Sequence, residues 1–567
     1  MKIQNIFIAS VLSFIFVGCA DEYKDGFQAT KTDNAALTEF VSQFDVLKNY
    51  GGGIQIGAEV ASGDVTAHST KYSQLISNFT EATLNDVFAH SLVVNSSTGA
   101  VDSTKARSAV DDAKENGLSL FGPSLCSPSN TQTTYMKNIV ADTYVPGVQT
   151  VGDFTLFDFE KDALGTLLPG WDGSTCEVVE DPDNVSGHCI HYTAAFGHTW
   201  LDVTLPMNMT LGDLVSGEYD YRTYGGGWIV QGIVKVEAAG VVSEYNPGTA
   251  AAAGIGKDEW GRGKMKIDFS KLNLSADQKK CTTFKLGIGE VVSASNFYID
   301  NIKVTGNYFN PGHYEARPAA EKKADVTKAL NSYFKTTLSN YGSDINTWII
   351  ASDAIAGGSN EDVLMSSKID ASGSKFYWNE YLGDNYVSDI SKMARSFKSD
   401  LKLFYSDYNL ENDAVKLERF CTMVKQWNTA GAALQGVNAE MHLVYNAANL
   451  ATSKQGVSNM LKALAATGLQ VRLSGLDMVM TDAGGLRVKI ADLTIDQLKA
   501  MSDYYNYVIS QYMTIVPQSQ RYGISLVSFN GTDGYTIGFW DQNFNRRATY
   551  AGIANGLQSV TTEWIDK

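Results

Sequence analysis

The sequence predicts an α/β fold into which a separate all-β domain is inserted. Helical runs that end in glycine precede short apolar strands: residues 461–467 (LKALAAT) and Gly468, for example, come before the strand at 471–478 (VRLSGLDM). This step is typical of alternating α/β folds, whose strands carry the active site at their C-terminal ends. Residues 150–306 instead contain short runs of alternating β-forming residues between Gly, Asp and Asn turns, which predicts a β-sandwich.

Length and charge narrow the choice of function. With 567 residues the chain can form two well-packed cores, and one of them can be a barrel of about 250 residues. Lys and Arg total 45 and Asp and Glu total 62, so the net charge is −17. This acidic balance disfavours nucleic acid as a partner. Glycine motifs for nucleotides do not precede any predicted helix, and no cofactor is predicted.

The N-terminus predicts export and lipid attachment. Residues 1–18 are the expected signal peptide, because a Lys at position 2 precedes an apolar run (IFIASVLSFIFV) that is too short to span a bilayer comfortably. The sequence Val17-Gly18-Cys19 resembles a bacterial lipobox, so Cys19 is expected to carry the lipid. Residues 19–36 are the expected tether, and their first residues (ADEYKD after Cys19) resemble the surface-export signal of Bacteroidetes lipoproteins. The predicted location is the cell surface, as an outer-membrane lipoprotein, and plain secretion is the alternative.

The other five cysteines do not indicate a metal or redox site. They are Cys126, Cys176, Cys189, Cys281 and Cys421, and they contain no CxxC element. Cys176 and Cys189 either pair across neighbouring strands in an oxidising compartment or remain buried free thiols. No metal site is predicted from these residues, and a structural calcium ion in the β-domain stays open.

Three segments carry a resemblance to a known family. Residues 376–409, 459–477 and 537–557 closely resemble the fourth helix and fifth strand, the seventh-strand region and the closing helical segment of glycoside hydrolase family 10, the β-1,4-xylanases. The resemblance implies a (β/α)8 TIM barrel. Its two parts would be residues 37–149 and 307–567, with the β-domain inserted after the third strand.

The two catalytic carboxylates of that family are altered in this chain. The seventh strand of the family ends in T-E-L-D, whose Glu is the nucleophile, and here residues 474–477 read SGLD, so Gly475 takes the nucleophile position. The fourth strand of the family ends in N-E-A, and here Ser352 replaces the Asn and Asp353 replaces the acid/base Glu. A retaining glycosidase needs two carboxyl groups about 5–5.5 Å apart. The resemblance therefore implies that the standard mechanism is lost.

The same resemblance places further polar residues at the barrel mouth. They are Asn85 on the second strand, Asp407 after the fifth, Glu440 and His442 on the sixth, and Asp477 on the seventh. The family's sugar-contacting His and Trp residues on the third and eighth strands are absent. Two rescues stay open: an inverting mechanism with Asp353 as acid and Glu440 as base, or a different chemistry in which His442 is the general base with Glu440 or Asp407.

The end of the β-domain resembles a carbohydrate-binding module. Residues 296–306 (NFYIDNIKVTG) are similar to the closing strand of jelly-roll modules, which are found inserted in the xylanase barrels of gut Bacteroides. Aromatic side chains offer flat apolar faces to sugar C–H groups. The candidate glycan contacts are Trp171, His198, Trp200, Tyr221, Tyr224 and Trp228, with core packing as the alternative for each.

The predicted function is non-catalytic capture of a plant polysaccharide such as xylan. The bound chain would pass to neighbouring enzymes or to an outer-membrane glycan transporter. One alternative is an active endo-β-1,4-glycanase with unusual catalytic residues. The other is a structural partner of a transporter complex that binds no sugar.

Overall fold

The computed structural model describes residues 33–169, 175–194, 197–224, 232–290, 295–527, 529–531 and 533–564. The chain forms two compact units: unit 1 is Met1–Ala141 with Pro318–Lys567, and unit 2 is Asp142–Arg317. Unit 2 is wider at both ends than the predicted 150–306. It includes a short antiparallel pair of strands, Thr143–Val145 with His313–Glu315.

Unit 1 is a closed barrel of eight parallel strands, which confirms the predicted α/β barrel. Strands are numbered along the whole chain, and those of the barrel are β1 (Gln55–Val60), β2 (Glu81–Leu84), β3 (Ser119–Gly122), β17 (Thr347–Ser352), β18 (Lys402–Tyr408), β19 (Gly436–Tyr445), β20 (Gln470–Met480) and β21 (Arg521–Leu526). Their order is β19-β18-β17-β3-β2-β1-β21-β20, and pairing of β19 with β20 closes the ring. A short strand, β22 (Thr536–Ile537), pairs antiparallel with β20.

Helices surround the barrel and bury apolar faces against it. They are α1 (Asp33–Ser42), α2 (Ser62–Thr66), α3 (Thr70–Asn78), α4 (His90–Val93), α5 (Arg107–Glu115), α6 (Thr133–Ile139), α7 (Ala319–Tyr341), α8 (Asn379–Leu382), α9 (Tyr386–Phe397), α10 (Ala414–Thr429), α11 (Leu450–Ala465), α12 (Ile495–Ile515) and α13 (Ala548–Gln558). Within the described part of the chain, none of them is long and apolar enough to cross a membrane.

One contact shows how the barrel wall is built. Trp348 on β17 is fully buried, and a Cβ atom on Gly122 of β3 would lie only 2.1 Å from its indole ring. Only glycine leaves this space, so Gly122 lets the Trp348 ring pack against β3, whose parallel pairing with β17 spans two residue pairs.

Unit 2 is a β-sandwich of two antiparallel sheets around one apolar core. Its strands are β4 (Thr143–Val145), β5 (Val148–Phe157), β6 (Leu167–Pro169), β7 (Thr175–Asp181), β8 (Asn184–Ala194), β9 (Gly197–Thr204), β10 (Leu214–Thr223), β11 (Gly232–Ala238), β12 (Val241–Tyr245), β13 (Trp260–Ile267), β14 (Thr283–Glu290), β15 (Ser295–Asn310) and β16 (His313–Glu315). The larger sheet has the order β13-β10-β15-β8-β7-β6, with β5 also on β15, and the smaller has β12-β11-β14-β9. Residues such as Ile190, Leu201 and Val234 fill the space between them.

Candidate functional site

Asp353 directly follows the fourth barrel strand, β17, and its backbone is left-handed with φ of 61°. The hydroxyl groups of Ser127 and Ser352 donate hydrogen bonds to its Oδ2 atom at 3.1 and 3.0 Å. Burial, with the nearby charges of Asp407 and Glu440, raises the pKa of Asp353 to about 7. A carboxyl group with this pKa is a competent proton donor near neutral pH.

Asp407 is fully buried beneath the mouth, and both of its oxygens are occupied. Lys416 lies 2.6 Å from Oδ1 as a buried ion pair. The amide groups of Ile355 and Tyr408 and the hydroxyl of Tyr405 also donate to this carboxylate, at 3.0 to 3.2 Å. Burial raises the pKa of Asp407 and the Lys416 ammonium opposes that effect. With this set of partners Asp407 holds the strand end in place and has no oxygen left for a substrate.

His442 lies on β19 between two carboxylates. Its Nδ1 atom is 3.0 Å from Oδ1 of Asp477, and its Nε2 atom is 3.4 Å from Oε1 of Glu440. These two partners raise the pKa of His442 to about 10. These carboxylates favour the protonated ring, and this disfavours the open alternative in which His442 is the general base.

A side chain at Gly475, which the resemblance places at the nucleophile position, would have to displace Glu440. The φ of Gly475 is +62°, a left-handed conformation that L side chains rarely adopt. A Cβ atom built there would lie 2.6 Å from Cγ of Glu440. The pairing of β20 with β21 is also irregular between Leu473 and Leu476. The side chain of Glu440 thus lies too close to the Cβ atom of a restored nucleophile for both to keep their positions.

Glu59 is a mouth carboxyl group that the sequence analysis missed. It lies near the end of β1 and accepts a hydrogen bond of 3.4 Å from the amide of Asn85. Burial and the charge of Glu440 raise its pKa, and Arg472 opposes the shift. The sequence feature that could have identified Glu59 is its place near the end of an otherwise apolar strand (IQIGAEV), on the same face as Gly57. Glu59, Asp353 and Glu440 form an acid-rich mouth.

The aromatic candidates of unit 2 do not form one site. Tyr221 is 3% exposed and stacks on Phe297 in the core, with ring centroids 5.4 Å apart, so its predicted glycan contact is wrong. Trp200 is half-buried on β9 of the smaller sheet, where His198 also lies. Tyr224 is 47% exposed just after β10 of the larger sheet. Trp171, Trp228 and Cys19 lie outside the described residues.

Three buried aspartates of unit 2 enclose a guanidinium group. Arg262 lies 2.5 Å from Asp181 and 3.0 Å from both Asp220 and Asp300. Burial raises the pKa of Asp300 to about 6. Over the described ranges, no set of three or more His, Cys, Asp or Glu side chains has metal-binding geometry. The Arg262 cation already neutralises much of the charge that a calcium ion would require.

The cysteines of unit 2 are free thiols. Cys176 is opposite Tyr192, and Cys189 is opposite Val179, on the same pair of strands, β7 and β8. The two thiols are therefore not cross-strand neighbours. Of the two alternatives left open by the sequence, the structure has the buried free thiols.

Comparisons with known proteins agree with this barrel. Residues 309–556 match the family model described as "Glycosyl hydrolase family 10". The chain is 26% identical over 269 residues to endo-1,4-beta-xylanase A of Caldicellulosiruptor saccharolyticus, covering 45% of this chain and 71% of that protein. It is 25% identical over 244 residues to endo-1,4-beta-xylanase D of Talaromyces funiculosus, covering 42% of this chain but only 54% of that protein.

Solved structures show the same fold. Xylanase B from Clostridium stercorarium F9 is similar with a TM-score of 0.51 and 13% identity, over 90% of this chain and 100% of that chain. A family 10 enzyme from Paenibacillus barcinonensis gives a TM-score of 0.51 and 12% identity, over 92% and 99%. The family model and these relatives identify residues 309–556 as a glycosyl hydrolase family 10 domain, and the closed barrel has the same fold as the solved structures.

Proposed function

We propose that this protein binds a plant-type polysaccharide at the cell surface and does not cleave it by the retaining mechanism. The observation that supports the proposal is Gly475, which has no carboxylate and whose positive φ and closeness to Glu440 disfavour a longer side chain at that position. Losing a nucleophile costs several orders of magnitude in turnover. The remaining framework still belongs to a family that acts on polysaccharides, so retained binding is the function that fits both observations.

Affinity electrophoresis tests this proposal. The chain with Cys19→Ala, which cannot be lipidated, is run in native gels that contain xylan, mixed-linkage β-glucan or galactomannan, with bovine serum albumin as the reference protein. We expect retardation in at least one gel and no reducing ends released from that polysaccharide. Migration equal to the reference in all gels would contradict the binding function.

A second candidate, an inverting hydrolase, is favoured by one observation. Asp353 has a pKa near 7 and is therefore suited to protonate a leaving oxygen, with Glu440 or Glu59 as the base that activates water. Release of reducing ends from xylan by the unmodified chain, together with its loss in Asp353→Asn, would support this candidate. An inverting enzyme would also release sugars of opposite anomeric configuration to the substrate, which NMR detects directly.

The proposed location rests on the N-terminal sequence. Cys19 after Val17-Gly18 provides the lipid acceptor, and the bound polysaccharide would pass to neighbouring enzymes or to an outer-membrane transporter. Cys19→Ala should move the protein from the membrane to the soluble fraction, with Cys281→Ala as the matched cysteine control. Membrane retention of Cys19→Ala would contradict lipid anchoring.

A further inference from the structure

The larger sheet of unit 2 carries a row of ring and guanidinium side chains across four neighbouring strands. In register, Trp260 of β13 is opposite Arg222 of β10, Arg222 is opposite Tyr298 of β15, and Tyr298 is opposite His191 of β8. We call these four residues, with Tyr224 at the end of β10, the aromatic row. Because neighbouring strands lie about 4.8 Å apart, the row is about 14 Å long, which is the size of a short oligosaccharide.

The rings contact one another and leave one face open. His191 stacks on Tyr298 with centroids 4.3 Å apart and planes 13° apart. Tyr224 lies 5.9 Å from Tyr298 at 67° and 5.7 Å from His191. Tyr298 is only 8% exposed, whereas Tyr224 is 47% exposed and Trp260 and His191 are half-buried. Tyr298 therefore forms a floor, and Tyr224 rises beside it as an exposed edge.

The row is held in place by the charged residues beside it. The indole N–H of Trp260 donates to Asp181 at 2.8 Å, and the guanidinium of Arg262 lies 4.1 Å from the centre of the Trp260 ring. On the other side, the His191 ring contacts the Asn296 amide oxygen at 2.7 Å. Rings fixed in this way lose little conformational entropy when a ligand binds, which favours affinity.

Charge selects the class of ligand. The Arg222 guanidinium is only 12% exposed and contacts Asp183 and the Thr223 carbonyl, so it is not available to an anion. Glu177, opposite His191, is exposed and negative, and the whole chain has a net charge of −17. These negative charges would repel a polysaccharide rich in uronic acids, whereas a neutral polysaccharide would bind without electrostatic repulsion.

We propose that the aromatic row is the binding surface for an uncharged polysaccharide chain, a step that rests on the proposed binding function. The flat faces of Tyr224 and Trp260 would stack against pyranose rings, and His191 and Asn296 would provide polar contacts at the edge. Trp200, on the smaller sheet, is not part of this surface.

The test uses the full chain with Cys19→Ala as background and affinity electrophoresis against neutral arabinoxylan, mixed-linkage β-glucan, galactomannan and acidic polygalacturonate. Tyr224→Ala should lower affinity for the neutral ligand about five- to tenfold, since an aromatic contact of this kind contributes that much. Trp260→Phe, which keeps a ring, should lower it less. Tyr314→Ala is the matched control, because Tyr314 is 71% exposed elsewhere in unit 2.

The outcomes separate this inference from the proposed function. If the Cys19→Ala chain is retarded, and its Tyr224→Ala and Trp260→Phe variants are retarded to the same extent as it is, then the chain binds glycan elsewhere and the aromatic row is not the site. Binding to polygalacturonate alone would overturn the assignment of a neutral ligand. If Tyr224→Ala instead changes only the oligomeric state in sedimentation, the row is a contact between copies. If the background protein is retarded in no gel, the proposed function itself fails.

Discussion

Substituting Gly475 with alanine should destabilise the barrel measurably. A non-glycine residue in the left-handed region costs about 1–2 kcal/mol. The added Cβ would also lie 2.6 Å from Cγ of Glu440, and overpacking of this kind costs about 1–3 kcal/mol. We therefore expect Gly475→Ala to lower the free energy of unfolding by about 2–5 kcal/mol in total.

Two variants separate these contributions. Gly468→Ala meets only the backbone cost, because Gly468 has φ of +75° and its added Cβ would have no heavy atom within 4 Å. Gly475→Ala combined with Glu440→Ala should recover the overlap part, which a double-mutant cycle measures. Calorimetry of the unfolding transitions provides the stabilities. Equal losses in the free energy of unfolding for Gly475→Ala and Gly468→Ala would refute the conclusion that Glu440 overlaps with a side chain at position 475.

The same position tests the proposed loss of catalysis. Gly475→Glu should not hydrolyse an aryl xylobioside, because the acid position still holds the shorter Asp353 and the sugar contacts of the third and eighth strands are absent. Transition-state stabilisation requires the whole set of groups within about half an ångström. Clear turnover by Gly475→Glu would mean that the barrel mouth differs from that of active family 10 enzymes less than we propose. Turnover by the unmodified chain would favour the inverting hydrolase.

Three further predictions concern charges. The pKa of Asp353 is raised to about 7, so stability should fall as pH rises from about 4 to 7, and Asp353→Asn should flatten that fall in urea titrations. The pKa of His442 is raised to about 10, so its stabilisation is present below about 6.5 and lost as pH rises through 10; NMR titration of its ring reads this directly. Arg262→Met should destabilise unit 2 by about 3 kcal/mol through unpaired buried aspartates, whereas Lys266→Met, at an exposed pair, should cost under about 1 kcal/mol in the same melt.

Element positions were predictable because periodicity and glycine punctuation are local. The strand expected at 471–478 is observed at Gln470–Met480. The face that a strand turns to the core was not predictable in unit 2. Tyr221 and Tyr224 were equal candidates, yet alternation along β10 places Tyr221 inside and Arg222 and Tyr224 outside. A period of two defines two faces without saying which is buried.

Contacts between strands that are far apart in the chain could also not be predicted from the sequence. Trp260 and His191 were not selected, because they lie on strands far apart in the chain and become part of one surface only through Tyr298 between them. Glu59 likewise looked like one polar residue in an apolar strand. Its raised pKa depends on burial in the folded barrel and on Glu440, 381 positions later in the chain. Such groupings follow from strand order, which the resemblance supplied for the barrel but not for the sandwich.

The residues that hold this barrel together differ from those at the positions where the resemblance places the catalytic groups, so the fold can persist when the latter change. Asp407 with Lys416, and Gly122 with Trp348, are buried and fully packed, so their loss would cost several kcal/mol. Position 475, by contrast, lies at the mouth and contributes no packing of its own, and the fold tolerates a glycine there. Asp407 also lies within residues 376–409, one of the segments that carry the family resemblance. Similarity to xylanases therefore reports on the barrel, and the activity depends on the carboxyl groups at its mouth.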